Sequence, residues 1–153
     1  MPYSVSALTA DSAGRVWFTD DAQSKIGLYD RRSHSVTELN LPRSGSVTSM
    51  VVDTTGALWA GTDAGELFAI RGETLLQSRS VGRPVLQLAL DSQGKAWFLA
   101  GDEQQTRFGQ ATSPATMRIF PASVVGVWFD ASSDAWLADR TSSGFYIAVP
   151  EAR

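Results

Sequence analysis

Residues 53–70 read DTTGALWAGTDAGELFAI, and the pattern at their start recurs three more times in the 153-residue chain. DSAGRVW stands at 11–17, DTTGALW at 53–59, DSQGKAW at 91–97 and DASSDAW at 130–136. Trp17, Trp59, Trp97 and Trp136 follow one another at intervals of 42, 38 and 39 residues, each six places after Asp11, Asp53, Asp91 or Asp130. Gly14, Gly56 and Gly94 lie three places after their aspartates, and Ser133 takes that place in the last copy. The local chemistry is that of a tight hairpin. An aspartate side chain caps the turn, and glycine supplies the positive φ that a short hairpin with a bulge requires.

The flanks carry the same message. An apolar, β-branched run precedes each aspartate: SVSALTA, SVTSMVV, PVLQLAL and SVVGVWF. A polar loop and a second short strand follow each tryptophan: KIGLYD, ELFAIR, TRFGQA and GFYIAV. A further strand closes three of the units, in SVTELNL, TLLQSRSV and TMRIFP. Short strands at regular spacing, with no helical period, predict an all-β chain. A four-stranded unit of this length with one tryptophan per unit is the mark of a β-propeller blade. The expected blades are 4–42, 43–82, 83–122 and 123–153 within one domain, 1–153, the last lacking its outer strand. The four repeated tryptophans are expected to pack between blades. Trp128, on the first strand of the last unit, has no tryptophan counterpart.

Two families share these residues. GRVWFTDDAQSKIGLYD with VTELNLP resembles a blade of the virginiamycin B lyase (streptogramin lyase) family, whose blades read Gly-x-x-Trp-Phe-Thr-Glu and then Lys-Ile-Gly-Arg. SVTSMVVDTTGALWAGTDAGELFAI is similar to the periplasmic repeat of two-component regulator propellers. The resemblance rests on blade-building residues, so it implies the fold more than the function. The lyase family implies a magnesium-dependent elimination that opens a cyclic peptide ester, with a catalytic histidine and a nearby glutamate. No matched strand position here carries histidine, and the motif becomes WFTD in one blade only. Any enzyme reading is therefore a metal-dependent lyase of that type, and the reading leans away from catalysis.

Both families build larger rings, so four blades leave closure open. The chain is read as part of a longer propeller or as half of a dimeric ring, with a self-closed four-blade ring a third arrangement. Either of the first two covers the apolar faces at the two ends of the array.

Composition narrows the partners. A net charge of −3 gives no overall attraction to nucleic acid or anionic lipid. Without cysteine there are no disulfides or thiolate metal sites. The start, MPYSVSALTADSAG, does not read as a signal peptide, and no stretch reaches the roughly 20 apolar residues of a membrane span. The compartment is left open, with periplasmic or extracellular placement expected if the chain comes from an exported propeller.

With strands a to d in each blade, the b-to-c and d-to-a loops share one face. The b-to-c loops bring Asp20, Asp21, Asp63, Asp102, Glu103 and Asp139, and the d-to-a loops bring Arg43 and Arg83, with Arg140 joining from the last unit. Carboxylates and guanidinium groups around one mouth suit a small polar ligand such as a glycan or peptide, or a protein partner. A divalent cation, magnesium or calcium, is chemically compatible with such oxygens, although no contiguous calcium loop occurs. His34, in DRRSHSVTEL, falls on a c-to-d turn of the opposite face and is read as a solvated turn residue. No serine sits in a nucleophile elbow. The expected function is a non-catalytic propeller module for binding or interaction, or else a lyase- or lactonase-like enzyme completed by another copy or further blades.

Overall fold

The repeat becomes four antiparallel sheets in a computed structural model, which describes residues 3–21, 25–40, 45–120, 123–139 and 145–148, the last four and residue 139 by backbone alone. The first sheet holds β1 (Leu8–Ala10), β2 (Arg15–Asp20), β3 (Lys25–Asp30) and β4 (Ser35–Asn40), paired in that order. The second holds β5 (Val47–Val52), β6 (Leu58–Thr62), β7 (Glu66–Arg71) and β8 (Thr74–Ser80). The third holds β9 (Val85–Leu90), β10 (Ala96–Gly101), β11 (Thr106–Gln110) and β12 (Arg118–Phe120). The fourth pairs β13 (Val124–Phe129), β14 (Ala135–Asp139) and β15 (Phe145–Ala148). A 3-10 turn at Pro114–Thr116 is the one helical element among the described residues.

The a-to-b turn is built the same way four times. One oxygen of each aspartate accepts the N–H groups two and four residues ahead, as Asp53 Oδ1 does from Thr55 and Ala57 at 2.8 and 3.1 Å. The third position is then driven to positive φ, 78° at Gly56 and 67° at Ser133. Ser133 adopts this conformation without glycine's freedom, which accounts for the one departure from the glycine pattern.

The second oxygen does something the sequence reading did not anticipate. It accepts the indole N–H of the tryptophan six residues on: Asp53 from Trp59 at 2.8 Å, Asp91 from Trp97 at 3.0 Å, Asp130 from Trp136 at 3.1 Å. The six-residue spacing is the length of the hairpin that brings the two side chains together. A buried indole needs such an acceptor. In the first sheet Arg15 Nε donates to Asp11 Oδ2 instead, at 2.6 Å, and Trp17 Nε1 finds no partner among the described residues.

The sheets touch through their first strands, β1 beside β5, β5 beside β9 and β9 beside β13. Three apolar cores lie between successive sheets. Trp17 and Ile26 meet Val47, Met50, Leu58 and Phe68; Trp59 and Leu67 meet Val85, Leu88 and Phe98; Trp97 and Phe108 meet Val124, Val127 and Leu137. Along the second strand the side chains alternate. The tryptophan faces the following sheet, and its neighbour, Ala60, Phe98 or Leu137, faces the preceding one. This is why both faces of these strands are apolar, as in any sheet covered on both sides.

A bulge recurs at the start of the first strand in sheets two to four, between Val47 and Ser49, opposite the Leu99–Ala100 step in β9, and between Val124 and Gly126. It turns Thr48 so that its hydroxyl donates to Gly61 O and to Val85 O of the next sheet, at 3.1 and 2.6 Å. At the next interface Leu86 lacks a hydroxyl, and Gln87 bonds both N–H and C=O of Val127 at 3.0 Å. Arg79 adds a cation over the Phe98 ring at 5.3 Å while donating to Gln110 O and Ala111 O.

Candidate functional site

The b-to-c turns and the d-to-a loops meet on one side of the sheets, where most of the sequence-derived candidates fall. Their first task is structural. Asp63 and Ser46 bond reciprocally: Asp63 N–H donates to Ser46 O at 3.0 Å, and Ser46 N–H donates to Asp63 Oδ1 at 2.8 Å. In the first sheet Asp21 N–H donates to Ser4 O at 2.9 Å, and Ser4 N–H reaches Asp20 Oδ1 at 3.3 Å. Each pair fastens the end of a second strand to the start of the first strand of the same sheet. In the third sheet Gly101 N–H to Pro84 O, at 2.9 Å, does the same.

The candidates therefore differ in what they can offer a ligand. Asp20 is 2% exposed and faces inward. Asp21 is half-buried, and its Oδ1 has no partner among the described residues. Asp63 is exposed with one oxygen engaged by Ser46. Arg83 and Asp102 are brought together as an ion pair between Arg83 Nη1 and Asp102 Oδ2, both side chains about one-third exposed. The backbone N–H groups of Gln104 and Gln105, together with Arg83, hold the Asp102 carboxyl below the usual carboxylate range. Glu103 is exposed beside them. Arg43, Arg140 and the side chain of Asp139 lie outside the described residues.

Among the described residues no three of His, Cys, Asp or Glu gather closely enough to share a metal ion. His34 lies on the β3–β4 turn at positive φ, its Nδ1 3.2 Å from the Tyr29 hydroxyl in a solvent-exposed hydrogen bond. No helix among the described residues is long and apolar enough to cross a membrane.

The a-to-b turns on the other side carry three further perturbed carboxylates. Burial raises the pKa of Asp53, but hydrogen bonds from Thr55, Trp59 and the Ala57 and Thr55 N–H groups more than offset it and leave it lowered. Asp130 is lowered first by the Trp136 indole N–H. Asp11 is lowered on balance, burial opposing the bonds from Arg15 and Ala13. Because these folded values lie below the unfolded value of about 3.9, their stabilisation is complete above that pH and is lost as pH falls through the folded values. The urea midpoint is accordingly level from pH 7 to about 5 and falls steeply below about 4. Asp53→Asn starts from a lower midpoint and loses less on acidification. A midpoint unchanged down to about pH 3 would contradict this account of the turns.

Neither a family model nor a curated protein matches the sequence. Solved structures do match the fold. Virginiamycin B lyase from Staphylococcus aureus superposes with a TM-score of 0.72 at 18% identity, covering 97% of this chain and 57% of the lyase. The fold is a β-propeller. The β-propeller domain of Cps50 (Swd1) from Myceliophteria thermophila gives 0.73 at 12% identity over 99% of this chain and 56% of that one. YCF48, solved bound to D1 peptide, gives 0.69 at 13% identity over 98% and 51%. This propeller chain thus spans little more than half the length of the structures it matches. An enzyme and two propellers of other kinds share the likeness, which at these identities concerns the blades and not their chemistry.

Proposed function

We propose that the chain is a non-catalytic binding module whose b-to-c and d-to-a loop face takes a small polar ligand, a glycan or peptide, or a protein partner. The observation that supports this reading most directly is the partly exposed Arg83–Asp102 pair, which joins the two kinds of loop and presents donor and acceptor groups side by side. Asp63 adds an exposed carboxylate on the preceding sheet. Asp20, Asp21, Arg43 and Asp139 are the remaining members of the proposed face. A planar guanidinium beside carboxylates recognises amide and hydroxyl groups through paired hydrogen bonds. A divalent cation held by further loop oxygens is compatible with the same face.

The test is a glycan and peptide array probed with the purified chain, followed by calorimetry of the best binder. Arg83→Ala is expected to weaken that binder about tenfold or more, by loss of a charge-assisted hydrogen bond. An unchanged affinity, or no binder below about 1 mM, counts against the loop face.

A second reading is a carbon–oxygen lyase or lactonase-like enzyme completed by another copy or further blades. The likeness to virginiamycin B lyase over 97% of this chain favours it. It requires magnesium-dependent opening of a cyclic depsipeptide ester, lost in Asp20→Asn or Asp63→Asn. With His34 on the β3–β4 turn and Asp20 buried, no turnover is expected when the ester is followed by mass spectrometry. Turnover that depends on these residues would reverse the order of the two readings.

A further inference from the structure

Each interface inside the chain follows one rule. The tryptophan of a second strand shares a core with two apolar residues on the first strand of the next sheet. These sets are Trp17 with Val47 and Met50, Trp59 with Val85 and Leu88, and Trp97 with Val124 and Val127. None of these nine side chains is more than 6% exposed.

Counted from the repeated aspartates, Trp136 is the fourth tryptophan, and Val5 and Leu8 hold the places of Val47 and Met50. These three residues alone break the pattern of burial: Trp136 is 37% exposed, Val5 50% and Leu8 64%. Trp128 pairs with Trp136 across β13 and β14 and is 54% exposed, whereas its counterparts Val51 and Ala89 pack against the cores beside them. One end of the array therefore carries an unmatched tryptophan face, and the other end carries the unmatched receiving positions. Exposed aromatic and aliphatic groups of this kind mark interaction surfaces.

We propose that the two ends are the halves of a fourth interface of the same kind, made between two copies of this chain. Trp136 and Trp128 of one protomer lie against Val5 and Leu8 of its partner, and two-fold symmetry makes the contact twice. A second copy fits because every copy carries both halves of the rule. A single copy spans 57% of a single-chain propeller of this fold, so two copies bring enough sheets for a ring of that length. A tryptophan-to-tryptophan pairing would leave Val5 and Leu8 bare. Among the described residues the polar ties of the inner interfaces have no equivalent on the Trp136 face, where Val125 and Gly126 stand at the places of Thr48 and Ser49 and Trp128 adds apolar area instead. This inference is independent of the loop-face reading.

Light scattering and sedimentation of the 16.5 kDa chain test it. A discrete species of twice that mass is expected. Leu8→Glu and Trp128→Glu are each expected to weaken the dimer about 100-fold or more, because each places a carboxylate in both interfaces. Both side chains are exposed within one chain, so the far-ultraviolet circular dichroism of each variant should keep the parent's β-sheet form. Mixed in equal amounts, the two variants should form a one-to-one complex tighter than either alone, through the one interface in which both faces are intact. A monomer at all concentrations or an open-ended series of larger species would overturn the proposal. So would a dimer abolished by Trp128→Glu but untouched by Leu8→Glu, which would indicate tryptophan faces meeting each other.

Discussion

Trp59→Ala lowers the unfolding free energy of the chain by about 3–5 kcal/mol, the range for removing a large buried aromatic side chain. Trp59 is 3% exposed and shares the core between the second and third sheets with Leu67, Val85, Leu88 and Phe98. Alanine leaves a cavity between two rigid sheets that cannot readily close on it. It also leaves Asp53 Oδ2 without the indole N–H it accepts at 2.8 Å. Trp59→Phe separates the two losses. It keeps most of the packing and removes the hydrogen bond, so it should cost clearly less than alanine. Urea denaturation followed by circular dichroism measures all three proteins. Trp136→Ala is the control, with both alanine variants compared in the Leu8→Glu background that leaves the chain a monomer; there the fourth tryptophan has no following sheet among the described residues and should cost only a small fraction of the Trp59 effect. Equal losses at the two sites would contradict the assignment of Trp59 to inter-sheet packing.

Gly65→Ala is the second large effect, with an expected cost of about 3 kcal/mol. Gly65 sits in the β6–β7 turn at φ 81°, where an L residue is strained by about 1–2 kcal/mol. A Cβ there would also lie 2.8 Å from Arg83 O and 3.1 Å from Arg83 C and N. These are backbone atoms, so the clash is relieved only by moving the loop, at a typical overpacking cost of about 1–3 kcal/mol. The same movement strains the bond from Val81 N–H to Gly65 O, 2.8 Å in the native turn. Because that loop carries Arg83, the substitution should also weaken any ligand of the Arg83–Asp102 pair. Gly56→Ala, at similar φ but with open space around its Cβ, should show the strain without the clash. A Gly65→Ala protein as stable as the Gly56→Ala protein would show that the loops do not press on each other there.

The hairpins were legible because their determinants lie within a few residues of one another. An aspartate and the N–H groups two and four places ahead are brought together by the turn itself, whatever surrounds it. The strand order follows for the same reason, each strand pairing with the next in the chain. The Asp53–Trp59 bond was present in the sequence as a constant spacing of six, and its regularity was the available signal. Reading the two residues separately, one as turn and one as packing, missed it. The bulge at Thr48 left no comparable mark, because Thr48, Leu86 and Val125 have unlike side chains at the same backbone irregularity.

The loop face divides differently. That Asp20, Asp63, Arg83 and Asp102 share one side follows from strand order. Their availability does not. Asp21 and Asp63 hold the same place in the repeat, ten residues after its aspartate, yet one is half-buried and the other exposed. The sequence by itself determined the repeat, its turns, its strands and the residue types that meet between sheets, because each depends on short-range spacing and alternating burial. Only the tertiary structure decided which carboxylates are engaged as fasteners, that Arg83 reaches Asp102, and that Trp136 is exposed while Trp17, Trp59 and Trp97 are covered. Those outcomes depend on what lies across a gap from each side chain, and a side chain's own sequence neighbourhood carries no record of that.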